Sequence, residues 1–363
     1  MPGASVTLEQ LESDPHPVLA QLRPLAWVPV LNGWLVTGRE LALYVMRDAE
    51  TFTVDDPRFS TGRVVGPSML TRDGAEHARH RDPFAEPLRL AAVRERFAPL
   101  VEVETDALIE RFEADGHAEL RRSLAGPLAA RVVARLLGLE SAETSAMLGW
   151  YDAIVDSVTG VAAGRPPSEA GRVAFETLRD TVEPALESAG DLTAAEVVSN
   201  AAVMMFGGIE TTEGMIANLL FHLLAHVEGP VDPSLLPNAL EESLRLEPAA
   251  AVIDRYATRD VTLEGAEIRK GDFVEISLAG ANRDPAFFSD PDRFDVHREN
   301  ARHHVTFAHG PHVCVGMHLA RLEALTAARR LFERLPALRL DPESPTAPRG
   351  LVFRKPPRLD VLW

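Results

Sequence analysis

Cysteine is almost absent from this chain: Cys314 is the only one among 363 residues. A single thiol forms no intramolecular disulfide, so no disulfide framework holds the fold, and a reducing compartment suits it. Long apolar runs are absent too. Nothing approaches the roughly 18 consecutive apolar residues of a membrane-spanning helix. The N-terminus, MPGASVTLEQLESDPHPVLA, lacks the basic and then apolar regions of a secretory leader. The expectation is a cytoplasmic protein with no membrane partner. Positive charge is in deficit, with 37 Lys and Arg against 54 Asp and Glu and a net charge of −17. That balance argues against a nucleic-acid partner. No repeat, low-complexity tract or linker interrupts the chain. Its 46% hydrophobic composition can supply a large core, read here as a single domain over 1–363.

The scarce cations are clustered, at Arg79 to Arg96, Arg302 to His304 and Arg321 to Arg330. They read as scattered solvated charge or, if the fold unites them, as a docking face for an acidic partner. WVPVLNGWLVTG places two apolar runs around Asn32-Gly33, a hairpin signal. Helical periodicity dominates from about Glu40 to His226, interrupted by VDDPRFSTGRVVGPSML, which reads as a long surface loop. RYATRDVTLEGAEIRKGDFVEISLAG reads as β structure, and GLVFRKPPRLDVLW as a further short strand pair. The fold expected is mainly α, with a small β-rich portion drawn from both ends of the chain.

From Thr193 to about His226 the pattern fits one helix of roughly 34 residues, about 50 Å long. Thr193 and Glu196 have capping-box spacing. Apolar residues occur all round it, so the helix should be central. GGIETT, Gly207 to Thr212, interrupts it at a cost of about 1 kcal/mol per glycine. Either Gly207 and Gly208 open the helix beside a bound group, with Glu210 and Thr211 handling protons, or the stretch marks close helix packing or a kink eased by threonine back-bonding.

FAHGPHVCVG, Phe307 to Gly316, leads into the amphipathic VGMHLARLEALTAARRLFERL. Cys314 thus stands at a helix N-terminus, whose free N–H groups and partial positive charge favour a thiolate. Gly310 and Gly316 allow close backbone approach, and His312 adds a polar donor. A structural zinc needs more ligands than one cysteine with His303, His304 and His309 at these spacings. A nucleophilic cysteine needs a base and oxyanion hole that the sequence does not display.

In these residues the chain resembles the cytochrome P450 superfamily, of the soluble bacterial, actinobacterial-like type. Phe307, Gly310, His312, Cys314 and Gly316 match its F-x-x-G-x-H-x-C-x-G haem loop, and Gly207, Gly208, Glu210 and Thr211 match its central-helix signature. Glu242 and Arg245 match E-x-x-R, followed by Arg293 in PDRF. His77 and Arg81 in GAEHARHR and Arg255 in IDRYA stand where the family places haem-propionate partners. Two departures are evident. Ala308 replaces the glycine usual after Phe307, and the stretches 165–193 and 226–238 are short for the family, implying a compact variant with shortened F/G-to-H and J regions.

The resemblance implies haem b, with Cys314 as axial iron ligand and Phe307, Gly310, His312, His77, Arg81 and Arg255 around it. It implies room for O2 at Gly207 and Gly208, proton delivery by Thr211 with Glu210, and a structural role for Glu242, Arg245 and Arg293. The expected activity is monooxygenation of a small apolar substrate of secondary metabolism by a monomer, with electrons from a separate ferredoxin docking on the basic face near the cysteine loop. A non-oxygenating haem protein and a peroxide-driven enzyme are the alternatives. Val64, Val65, Met69, Leu70, Val203, Phe206, Ala250, Ala251 and Phe353 are the candidate substrate contacts.

Overall fold

Thr193 caps a helix that runs unbroken from Ala194 to His226, 33 residues. Its hydroxyl accepts from the Glu196 amide while the Glu196 carboxylate accepts from the Thr193 amide, the reciprocal arrangement expected from the spacing. The computed structural model describes residues 5–139, 143–162, 165–182, 190–227, 229–344 and 346–363. Within them the central helix is buried on all sides. Helices Gly126–Leu136, Leu236–Leu246 and Met317–Arg334 pack along it, and their aliphatic side chains join it in one apolar cluster.

The two glycines leave the central helix unopened. Gly208 faces helix Gly126–Leu136 so closely that a Cβ would lie 2.6 Å from Val133 Cγ2, whereas Gly207 faces open space. Thr211 Oγ1 donates to the Gly207 carbonyl at 2.5 Å. Helix packing therefore accounts for Gly208, which corrects its assignment to the cofactor side. Gly207 alone clears volume.

The expected hairpin forms between Leu25–Val28 and Gly33–Val36, with Val28 opposite Gly33. Its turn is wider than two residues: Pro29–Leu31 makes a 3-10 turn and Asn32 takes a left-handed φ of 49°. Gly33 is required by space, since a Cβ would lie 2.6 Å from Phe273 Cδ1. Gly33–Val36 runs parallel to Phe273–Ser277, which pairs antiparallel with Val252–Ala257, and Phe52–Thr53 completes the five-stranded sheet. The C-terminus does not form its own strand pair. Asp360–Leu362 lies between His117–Glu119 and Arg339–Leu340, and the local pairing is a single bridge of Arg349 with Lys355, which Pro356 and Pro357 do not extend. The segment read as a surface loop carries helix Ser60–Val65 and buries Phe59, Thr61, Val65, Ser68 and Met69.

A buried polar knot ties helix Leu236–Leu246 to the approach of the cysteine loop. Glu242 and Arg245, both without solvent exposure, form a two-point pair at 2.7 and 2.9 Å. The second guanidinium on Glu242 is that of Arg298, at 2.8 Å. Arg293 is exposed and offers only its carbonyl oxygen, to Arg245 and Arg298. The turn closed by the Arg293 N–H on the Asp290 carbonyl leaves that carbonyl inward and the side chain outward. The structural part expected of Arg293 thus falls to Arg298. Thr306 completes the link, donating to the Leu244 carbonyl at 2.7 Å and accepting from Asn282 at 2.8 Å.

Removing the shared carboxylate leaves two buried guanidiniums unpaired, so Glu242→Ala is expected to cost about 3–5 kcal/mol in urea unfolding. Arg293→Ala should stay within about 0.5 kcal/mol of wild type, as an exposed site does. Equal losses for Arg293→Ala and Arg298→Ala would contradict the assignment.

Candidate active site around Cys314

The loop from Phe307 to Gly316 folds back on itself through a 2.8 Å bond from Cys314 N–H to the Phe307 carbonyl and a 3-10 turn over Gly310–His312. Gly310 has φ 74°, and a Cβ there would lie 2.6 Å from the Met46 carbonyl. The loop is thereby pressed against helix Arg39–Arg47. Ala308 also sits in the left-handed region, at φ 59°, where a side chain is strained and glycine is not. The Arg321 guanidinium lies 4.3 Å from the centroid of the Phe307 ring and pairs with Glu241. Cys314 itself is solvent-accessible. The surrounding protein pushes its thiol pKa up, and the N–H groups of Gly316 and Met317 and the charges of Arg81 and Arg321 oppose that shift.

Helix Gly74–Ala85 brings His77 and Arg81 to this loop. Arg81 Nη2 donates to the Val313 carbonyl at 2.7 Å. The His77 ring lies 4.3 Å from that of His312, and His312 Nε2 bonds Asp73 Oδ1 at 2.7 Å. Asp73 also accepts from Thr53 and from the Val54 amide. Burial alone would raise the Asp73 pKa, but these donors prevail and hold it at about 2. Burial, with His312 and Arg81 nearby, lowers His77 to about 4. Its Nε2 is buried without a hydrogen-bond partner. Arg255, buried on strand Val252–Ala257, donates to the Asp254 carbonyl and feels the Asp73 charge. Among the described residues no carboxylate pairs with it. His77, Arg81 and His312 meet at this loop, Arg255 lies within reach of the Asp73 charge, and Asp73, which the sequence reading missed, holds His312.

On the central helix, Glu210 and Thr211 face different partners. The Glu210 carboxylate, buried, meets Lys355 Nζ at 2.8 Å, and the same Nζ meets Glu213 at 2.6 Å, which is also held by Arg121. The Thr211 hydroxyl goes to Gly207. The expected acid and alcohol are neighbours but not hydrogen-bonded to each other. Lys355 was missed because only the C-terminal segment's passage over Gly214 places it here.

Of the candidate substrate contacts, Phe206 and Phe353 meet edge to face at 5.3 Å, and Phe353 bridges Ala250. Val65, Met69 and Val203 belong to the helical apolar cluster, with Val64 and Leu70 packed against it. Ala251 is a correction. It lies among Leu19, Leu22 and Leu35 beneath the N-terminal helices, because neighbouring strand residues point to opposite faces.

The basic clusters are largely neutralised: Arg79 by Glu196, Arg329 by Glu102, Arg330 by Asp106 and His304 by Glu241. Arg89, Arg94 and Arg96 remain exposed, with no carboxylate partner among the described residues. Helix Leu90–Arg96 packs on Met317–Arg334, with Arg94 close enough to act on His318.

A haem fits these residues. An accessible thiol, an unpartnered buried imidazole nitrogen, two cations without carboxylates and a side-chain-free helix face at Gly207 are what a planar dicarboxylate iron ligand requires.

The fold recurs in the solved structure of CalO2, which aligns over 99% of each chain with a TM-score of 0.89 and 26% identity. The family model described as Cytochrome P450 matches residues 234–362. The chain is 34% identical to the cytochrome P450 monooxygenase PikC of Streptomyces venezuelae, over 92% of this chain and 86% of that protein. It is 36% identical to the 20-oxo-5-O-mycaminosyltylactone 23-monooxygenase of Streptomyces fradiae, over 86% and 80%. The chain belongs to the cytochrome P450 family. It is a monooxygenase, and the family's cofactor is haem. No helix among the described residues is long and apolar enough to cross a membrane.

Two measurements probe the loop. Ala308→Gly relieves a left-handed alanine and is expected to raise unfolding stability by about 1 kcal/mol. Because the Asp73 pKa is depressed from 3.8 to about 2, its contribution is present above pH 4 and is lost as pH falls from about 4 to about 2. It amounts to about 2 kcal/mol. Asp73→Asn should flatten that part of a stability–pH curve.

Proposed function

We propose that this monooxygenase binds haem b with Cys314 as the axial iron ligand and oxygenates a small, largely apolar secondary metabolite, using electrons from a separate ferredoxin-type protein. The observation that carries the reading is the meeting, at one loop, of the accessible Cys314 with Arg81, His312 and the unpartnered His77. Bound haem supplies the oxygen activation and electron acceptance. The chain's own residues do the rest. His77, Arg81 and Arg255 would pair with the two propionates, and Phe307, Gly310 and His312 shape and brace the loop. Gly207 keeps the central helix clear of the cofactor face. Thr211 holds a proton at its hydroxyl beside that face, and Glu210 exchanges protons with it when released from Lys355.

Val64, Val65, Met69, Leu70, Val203, Phe206, Ala250 and Phe353 line the substrate side, which suits an apolar guest. The names of related proteins, such as a pentalenic acid synthase of Streptomyces avermitilis, support the substrate class. Arg89, Arg94 and Arg96 offer the acidic electron donor a patch beside the cysteine-bearing loop's helix.

The reduced carbonyl complex tests the ligand. Wild type should show the red-shifted Soret band, and Cys314→Ser should lose it; its absence from wild type would exclude thiolate ligation. Thr211→Ala should divert reducing equivalents to peroxide, lowering product per electron by about tenfold or more. Arg94→Glu should slow reduction by ferredoxin and weaken its salt dependence, with substrate affinity unchanged.

A further inference from the structure

The segment that brings Val65 and Met69 to the substrate side is fastened to the first turns of the central helix by two side chains. Ser199 Oγ donates to the Val65 carbonyl at 2.6 Å. Asn200 Oδ1 accepts from the Met69 amide at 2.8 Å, and its Nδ2 donates to the Glu196 carbonyl at 2.8 Å. Both side chains are buried, Asn200 completely. Between these attachments the chain turns through Gly66, at φ 84°, where a Cβ would lie 3.3 Å from Ser199 Oγ. Thr71 stiffens the turn by accepting from the Ser68 amide at 2.9 Å.

The Asn200 amide has only one workable orientation. Met69 N–H is solely a donor and the Glu196 carbonyl solely an acceptor, so oxygen and nitrogen cannot be exchanged. Nδ2 therefore also donates to the atom 2.8 Å away on its other side, Nδ1 of the fully buried His80. That nitrogen must carry a lone pair, which puts the ring proton on Nε2, where Glu196 Oε1 at 3.5 Å can accept it and the Arg79 guanidinium, with Nη2 at 3.4 Å, cannot. A second proton on His80 would set two donors against each other and favour a flipped or withdrawn Asn200. The Met69 amide would then lose its acceptor.

We infer that Asn200 is a positioning residue that holds the substrate-facing segment 65–69 closed, and that neutral His80 keeps it in place. The groups facing His80 are Glu196 on the central helix, Arg79 and Glu76 on its own helix, and Arg72 just before it. Burial lowers the His80 pKa most, Glu196 and Glu76 oppose that, and Arg79 and Arg72 reinforce it. The neutral form therefore prevails at neutral pH, and acid releases the latch. Since the folded-state value is depressed, stability from this group falls as pH drops below the ordinary histidine range.

The substrate-facing part of this inference rests on the proposed function; the latch does not. Hydrogen–deuterium exchange of the haem-loaded full chain, followed in peptides covering 60–71, tests it. Asn200→Ala and the shape-conserving His80→Phe should each speed exchange there by about tenfold at neutral pH, with 215–222 unaffected. Wild type should gain a comparable increase between about pH 8 and about pH 5 after correction for intrinsic rates, and His80→Phe should show none. Unchanged exchange in the variants, or a pH response that persists in His80→Phe, would overturn the latch. Should Asn200→Ala fail to fold, His80→Phe decides alone. Phenylimidazole, followed at the Soret band, separates the two readings. It should bind faster in both variants if the latch guards the haem. A probe silent in wild type as well points instead to failure of the haem assignment.

Discussion

A helix buried along most of its length needs partners from elsewhere for the polar side chains it carries inward, and much of this fold follows from that constraint. Along Ala194–His226, Ser199 takes the Val65 carbonyl, Asn200 takes Met69 and His80, and Glu210 and Glu213 take Lys355. Asn218 takes the carbonyls of Glu247 and Arg354, and His222 takes Ser243. Each partner lies on a segment remote in sequence. Hydrophobic burial drives the packing without direction, while these hydrogen bonds select which segment docks at which turn. The two glycines fit the same rule. Gly208 admits a neighbouring helix, and Gly207 keeps the one clear face.

A second convergence forms at the cysteine loop. Asp73, deep enough to need several donors, gathers Thr53, Val54 and His312, and the His312 ring in turn packs at a tilt against His77. Arg81 reaches the same loop through the Val313 carbonyl. The charges of Arg81 and Arg321 act on the accessible thiol, while the acid is spent on holding His312. From the other side, the Glu242, Arg245 and Arg298 knot and Thr306 anchor the chain entering the loop. The loop that carries Cys314 is thus held from two directions.

The central helix, its cap, the hairpin at Asn32 and the cysteine loop were legible because their signals are local. A capping box spans four residues, and apolar periodicity needs only the chain itself. Arg298 was not legible beside Arg293, since nothing local says which arginine a turn sends inward. Lys355 likewise gave no sign of meeting Glu210, because the contact depends on Gly214 letting the segment at Arg354 and Lys355 lie close against the helix. Ala251 was misplaced for a related reason: alternation along a strand is readable, but which face looks toward the site depends on the sheet's neighbours.

Ordered motifs made the family legible without coordinates, since a cysteine loop, its glycines and a Gly-Gly pair within a helical run are matters of residue type and spacing. Partnership was decided only in three dimensions. The pairing of Glu210 with Lys355, the replacement of Arg293 by Arg298, the split duties of Gly207 and Gly208 and the Asn200 clasp all join residues far apart in the chain. Such contacts depend on distances of a few ångströms between separately formed elements, and packing sets those distances only after every element is in place.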